Sequence, residues 1–205
     1  MLFTLSDIIY KFKKKEIFKK KKLNFTEGEH VLLHGKSGCG KTTLVNLMSG
    51  LLRPSSGTIF FENVDFSSLS DRELDDLRSN NFGLIFQRLH LIGHLDVEQN
   101  LKLASKVSNA KNILSLIKYL GLEDKKKQLA KDLSVGEAQR VAIARAVANN
   151  PKVIFADEPT SALDDHNTIK VMELLFDQTK KNKSTLLVAS HDDRIKKYFS
   201  RVVKM

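Results

Sequence analysis

Short apolar runs alternate with amphipathic segments along most of the chain. Leu2, Phe3, Leu5, Ile8 and Ile9 predict a strand over 2–9, and beyond a lysine-rich turn Lys21, Leu23 and Phe25 alternate as a returning strand would. Val31-Leu32-Leu33-His34 reads as a buried strand and is followed by a glycine-rich loop over 35–40. Leu44, Leu47, Met48 and Leu51 then fall at i, i+3, i+4 and i+7, one face of a helix that Pro54 keeps from running on. Ser70-Asp71-Arg72-Glu73 has the form of a capping box and opens a helix carrying Leu74 and Leu77. Residues 82–86 read as a strand. The stretch 96–132 lacks strand signals and holds one clear helix, with Ile113, Leu116, Ile117 and Leu120 on one face and Gly121 as its stop. Val153-Ile154-Phe155-Ala156 and Leu186-Leu187-Val188-Ala189 are apolar runs that end in polar residues, and Ile169, Met172, Leu175 and Phe176 mark a helix between them. This rhythm predicts an α/β fold with a parallel sheet, whose strands carry their chemistry at the carboxyl ends.

Composition narrows the class. The 205 residues are 41% hydrophobic and 28% charged, ample for one domain with its own core, and 1–205 reads as a single unit. The longest run without a charge, 42–52, is 11 residues, against about 20 for a membrane-spanning helix. The first residues lack a basic segment followed by an apolar block, so they do not read as a secretory signal. One cysteine excludes an internal disulfide and agrees with a reducing, cytoplasmic address. The net charge of +10 favours anionic partners. Much of it is local, in Lys11, Lys13, Lys14, Lys15, Lys19, Lys20, Lys21 and Lys22. Without arginines or a stacking aromatic cluster, the run reads as a solvated edge blunted by lysines and argues against nucleic acid as the partner. Lys125-Lys126-Lys127 reads as a solvated loop, and His34, His90, His94 and His166 have no metal-ligand spacing.

The chemistry begins at Gly35-Lys36-Ser37-Gly38-Cys39-Gly40-Lys41-Thr42, a complete G-x-x-x-x-G-K-[ST] between a strand and a helix. Such a loop wraps phosphates with backbone N–H groups. The helix start adds positive potential, Lys41 reaches the terminal phosphates, and the Thr42 hydroxyl, with Thr43 beside it, faces the Mg²⁺ of a nucleoside triphosphate. Cys39 reads as a small-residue filler of the loop. The strand ending at Ala156 delivers Asp157 and Glu158. Their alternation lets Asp157 serve the metal while Glu158 polarises an attacking water.

Leu133-Ser134-Val135-Gly136-Glu137-Ala138-Gln139-Arg140 resembles the signature of ATP-binding-cassette (ABC) ATPases and stands shortly before the Asp157-Glu158 strand, as in that family. Gln87 matches the Q-loop, Ser161-Ala162-Leu163-Asp164 the D-loop and His191 the H-loop, in the family's order. The resemblance implies ATP with Mg²⁺, held by 35–42 and Thr43, with Thr42, Asp157 and Gln87 around the metal. It implies Glu158, His191 and Gln87 as the catalytic set. Tyr10 is similar to the aromatic that stacks on adenine, with Phe12 the competing candidate. The family closes two copies head-to-tail, so Ser134, Gly136, Glu137 and Asp164 would meet ATP across a homodimer. Val135 and Glu137 stand where the family usually has glycine and glutamine. The implied fold is a P-loop ABC cassette with an N-terminal antiparallel β part and a helical subdomain over about 88–148. Arg78 and the segment 82–92, with Gln99-Asn100, resemble the lipoprotein-releasing and macrolide-exporting group. That implies a cytoplasmic subunit, peripheral on the inner face of the membrane, powering a separate permease. The apolar stretch 89–95 is the candidate docking face. The alternative is a regulatory ATPase of a non-transporting membrane complex of the cell-division type.

Overall fold

The computed structural model describes residues 1–13, 15–104, 110–161 and 163–205. Lys14 of the lysine run and Ala162 of the D-loop lie outside the described residues. The chain opens with β1 (Phe3–Phe12), β2 (Lys15–Phe25), β3 (Val31–His34), α1 (Lys41–Met48), β4 (Ser56–Phe61) and β5 (Val64–Asp65). It continues through α2 (Asp71–Asn81), β6 (Phe82–Ile85), α3 (Val97–Ala104), α4 (Ala110–Tyr119) and α5 (Val135–Val147). It ends with β7 (Val153–Asp157), α6 (Asp165–Asn182), β8 (Thr185–Ser190) and β9 (Arg201–Lys204). Two sheets form. One is antiparallel in the order β2-β1-β4-β5, the other parallel in the order β6-β7-β8-β3-β9.

The uninterrupted apolar runs are the central strands of the parallel sheet, and their period of two divides them between two cores. Leu32, Ile154, Ala156, Leu186 and Val188 face one cluster with α3, α4, α5 and α6. Val31, Leu33, Val153, Phe155, Leu187 and Ala189 face the other, with α1 and the antiparallel sheet. Phe3, Phe61, Phe82 and Phe155 interlock there, with ring centroids 4.8–5.9 Å apart, and clamp one sheet to the other. Among the described residues no helix is long and apolar enough to cross a membrane.

Several elements differ from the pattern reading. The turn in the lysine run is shorter than the pattern suggests: Lys13 lies in it, and β2 begins at Lys15 and carries Lys19 to Leu23 in strand, as the edge of the antiparallel sheet. Lysines facing water are what such an edge tolerates. Strands β4, β5 and β9 are short or weakly patterned and are held by pairing, whereas helix α3 buries one face through Val97, Glu98, Asn100 and Leu101. The two capping boxes are present, Ser70 with Glu73 on α2 and Ser134 with Glu137 on α5.

Candidate functional site

The parallel register collects the functional side chains at one end of the sheet. His34 pairs with Ser190 and Asp157 with Ala189, so the loop after β3, the Asp157-Glu158 pair and His191 leave the sheet side by side. Ile85 pairs with Ala156, which brings Gln87, two residues on, to the same end. Gln87 is exposed there.

The loop 35–40 turns tightly, with Cys39 N–H donating to Lys36 O at 3.3 Å. Ser37 and Gly38 are exposed at its tip and Cys39 is half-buried, filling the small space beside Gly35. Gly40 caps α1 with φ 102°, and a β-carbon there would meet Ile17 and Phe18 at 2.9 Å, so only glycine fits. Lys41 is buried in the first turn of α1. Its Nζ donates to Gly35 O at 2.8 Å and Lys36 O at 3.2 Å, and lies 3.3 Å from Glu158 Oε1. Thr42 is exposed and Thr43 half-buried beside it.

Asp157 is buried, and its Oδ1 has no hydrogen-bond partner. Burial pushes its pKa up, the Thr42 hydroxyl opposes this, and the neighbouring Glu158 charge adds to the rise. An orphaned buried carboxylate oxygen beside a threonine hydroxyl fits a hard, oxygen-seeking cation such as Mg²⁺. Glu158 has the rare φ of 49°, fixed by its N–H donating to Ala189 O at 2.7 Å. Its Oε2 accepts from Ser190 Oγ at 2.9 Å, and its Oε1 lies 2.9 Å from His191 Nδ1, which the carboxylate requires to be protonated. Burial alone would raise the Glu158 pKa. The bonds from His191 and Ser190, with Lys41 close by, outweigh it and hold the carboxyl below its ordinary value. A negative, pre-oriented carboxylate therefore points at the phosphate loop.

Ser190 and two further residues were not read from the sequence. Asp192 accepts from Thr160 Oγ1 at 3.0 Å, and Arg194 donates to Asp192 at 2.7 Å, Asp165 at 2.6 Å and Leu163 O at 3.2 Å. They lock the segment carrying Asp164, itself the cap of α6 through Asn167 N–H at 2.8 Å, to the segment carrying His191. The only signal available was their position flanking His191.

The signature segment stands apart. Ser134 Oγ accepts from Glu137 N–H at 3.3 Å, and Glu137 Oε2 accepts from Ser134 N–H at 2.8 Å. A β-carbon on Gly136 would meet only Arg140 Nη1, at 3.8 Å, and Val135 points to solvent, 62% exposed. Among the described residues no hydrogen bond or ion pair joins 134–137 to the phosphate loop. Of the two aromatics, Tyr10 is half-buried against the second core, whereas Phe12 is 59% exposed at the end of β1. Leu91 packs against the first core, Leu89 and Leu95 are half-buried, and Ile92 is the exposed apolar residue of 89–95. Fully buried Asn100 ties this segment down, bonding Ile92 N–H at 2.8 Å and Ile92 O at 3.1 Å, and Arg145 holds His90 O at 2.6 Å. Lys125, Lys126 and Lys127 are not free in solvent, for each pairs with a carboxylate.

The sequence pattern of the ABC transporter family matches residues 18–161. HrtA of Staphylococcus aureus strain MRSA252, named as a hemin import ATP-binding protein, is 40% identical over 193 residues, spanning 90% of this chain and 87% of that one. The dimeric ATP-binding cassette MJ0796, solved in a post-hydrolysis state with ADP and Pi, superposes with a TM-score of 0.89 at 33% identity, over 99% of this chain and 94% of that one. The cbiO1 subunit of the ABC transporter complex cbiONQ from Clostridium perfringens gives a TM-score of 0.88 at 30% identity, over 100% and 84% of the two chains.

Proposed function

Because the chain belongs to the ABC transporter family, as an ATP-hydrolysing ATP-binding subunit, we propose that it powers a separate integral membrane permease of the export or lipoprotein-release type from the cytoplasmic face of the membrane. The observation that carries the reading is the convergence of Lys41, Asp157, Glu158, Ser190 and His191 at the carboxyl end of one parallel sheet. Lys41 contacts the terminal phosphates once it leaves Glu158. Glu158, freed of Lys41, aligns water with the γ-phosphate and takes its proton, while His191 holds both. Thr42, Asp157 and Gln87 would hold Mg²⁺, which supplies charge neutralisation on the phosphates. Phe12, exposed at the end of β1, is favoured over the half-buried Tyr10 for the adenine ring. Ser134 and Gly136, with Glu137 closing their cap, act on the ATP of a second copy, as does Asp164 from the start of α6, which accounts for the separation of 134–137 from this chain's own phosphate loop.

Docking to the permease is supported by an open groove of about 460 Å³ beside Gln87, lined by Arg78, Phe86, His90, Leu103 and Arg145. Its mixture of apolar side chains with Arg145 and the Asp75–Arg78 ion pair suits an amphipathic cytoplasmic helix. The reading is tested first at the nucleotide. Lys41→Ala should weaken ATP binding at least about a hundredfold in calorimetry, because the phosphates lose a buried cation. Binding at wild-type strength by that variant would remove the loop from the proposed site.

A further inference from the structure

The triple lysine 125–127 forms a clamp. Glu98, largely buried on α3, receives Lys102 at 2.8 Å, Lys127 at 3.0 Å and Lys126 at 3.3 Å, and its pKa is held down to about 2. The backbone reinforces the clamp. Val97 N–H donates to Gln128 O and Glu98 N–H to Lys126 O, each at 3.2 Å, and Ala130 N–H donates to Leu95 O at 2.9 Å. So fixed, the loop aims its first lysine elsewhere: Lys125 Nζ lies 3.5 Å from Glu137 Oε1. The other oxygen of that carboxylate closes the capping box on Ser134, so one carboxylate serves the start of α5 and the lysine at once.

Glu137 presents an electrostatic problem. A helix start that meets a triphosphate works through its positive potential, and an ionised carboxylate in its first turn opposes that attraction. We propose that Lys125 is a positioning residue that neutralises Glu137, so that Ser134 and Gly136 can approach the triphosphate held by a second copy of the chain. This rests on the reading above that the signature segment acts across a homodimer. The lysine sits on a loop anchored to α3 and not on α5 itself, so the compensation does not depend on the helix it serves.

The test measures the ATP concentration for half-maximal dimerisation by light scattering, in a Glu158→Gln background that blocks turnover. Lys125→Ala should raise it about three- to fivefold, the upper end of what loss of a partly exposed ion pair gives. Adding Glu137→Gln should return it to within about twofold of the parent, since glutamine keeps the cap on Ser134 and needs no counter-charge. ADP binding to the monomer should be unchanged by Lys125→Ala, which also reports that the variant is folded. Parental dimerisation by Lys125→Ala, or a defect that Glu137→Gln does not repair, would overturn the proposal. Ser134→Arg in the same background separates the two levels. If it dimerises normally, the placement of the signature across the dimer has failed. If it abolishes dimerisation while Lys125→Ala does nothing, only the role of Lys125 has.

Discussion

Val135 occupies the first helical position of α5, directly after the Ser134 cap, with its side chain in solvent. A β-branched residue there costs a few tenths of a kcal/mol in helix propensity and needs no positive φ. The groups proposed to meet nucleotide are the Ser134 hydroxyl and the Gly136 N–H, and neither depends on the side chain between them. Val135→Gly should therefore change steady-state ATP turnover by less than about tenfold, the equivalent of about 1.4 kcal/mol. A wild-type protein that hydrolyses nothing until Val135 becomes glycine would contradict this. Residues of this kind, in contiguous motifs, were legible in the sequence: the loop 35–42, Asp157-Glu158 and the capping box all stand where spacing put them. Ser190 was not, because its importance arises from a 2.9 Å bond to a carboxylate 32 positions away that only strand register creates. Tyr10 was the sequence's candidate for the adenine ring with Phe12 its competitor, and the structure leaves Tyr10 half-buried and Phe12 exposed at the end of β1.

At the scale of elements, β6 and α5 approach so closely that one residue decides the contact. A β-carbon on Gly83 would lie 2.3 Å from Ala146 O, a backbone atom that cannot swing away as a side chain could. Gly83→Ala must push α5 from the sheet and should destabilise the fold by about 1–3 kcal/mol in urea unfolding. Unfolding at the wild-type midpoint would show that the contact is looser than described. The central strands β3, β7 and β8 were legible because residues buried on both faces leave uninterrupted apolar runs. The early start of strand β2 at Lys15 was not legible, because an edge strand with one wet face dilutes its apolar residues with charge. Helix α3, at eight residues and with Glu98 and Asn100 among its buried positions, hides its period behind polar groups that are satisfied by lysines and loop carbonyls. The exposed loop of the triple lysine was legible, but its carboxylate partners on α3 and α5 were not, because only folding brings them to the loop.

At the scale of the whole molecule, the site is divided between two surfaces. The phosphate loop, Asp157, Glu158 and His191 lie at the carboxyl end of the parallel sheet, while Ser134 and Gly136 open α5 with no bond to them among the described residues. Two-fold symmetry joins such halves, because each copy then offers its signature segment to the other's phosphate loop. In the proposed function ATP bridges them and Glu158 is the base that lets water hydrolyse it. Replacing the carboxylate with an amide keeps the size and the bond to Ser190 but removes the base. The direct test is light scattering and phosphate release on Glu158→Gln with Mg-ATP. The account predicts a stable particle of twice the monomer mass with turnover reduced at least about a hundredfold. A variant that stays monomeric in saturating ATP and hydrolyses it at the wild-type rate would contradict it.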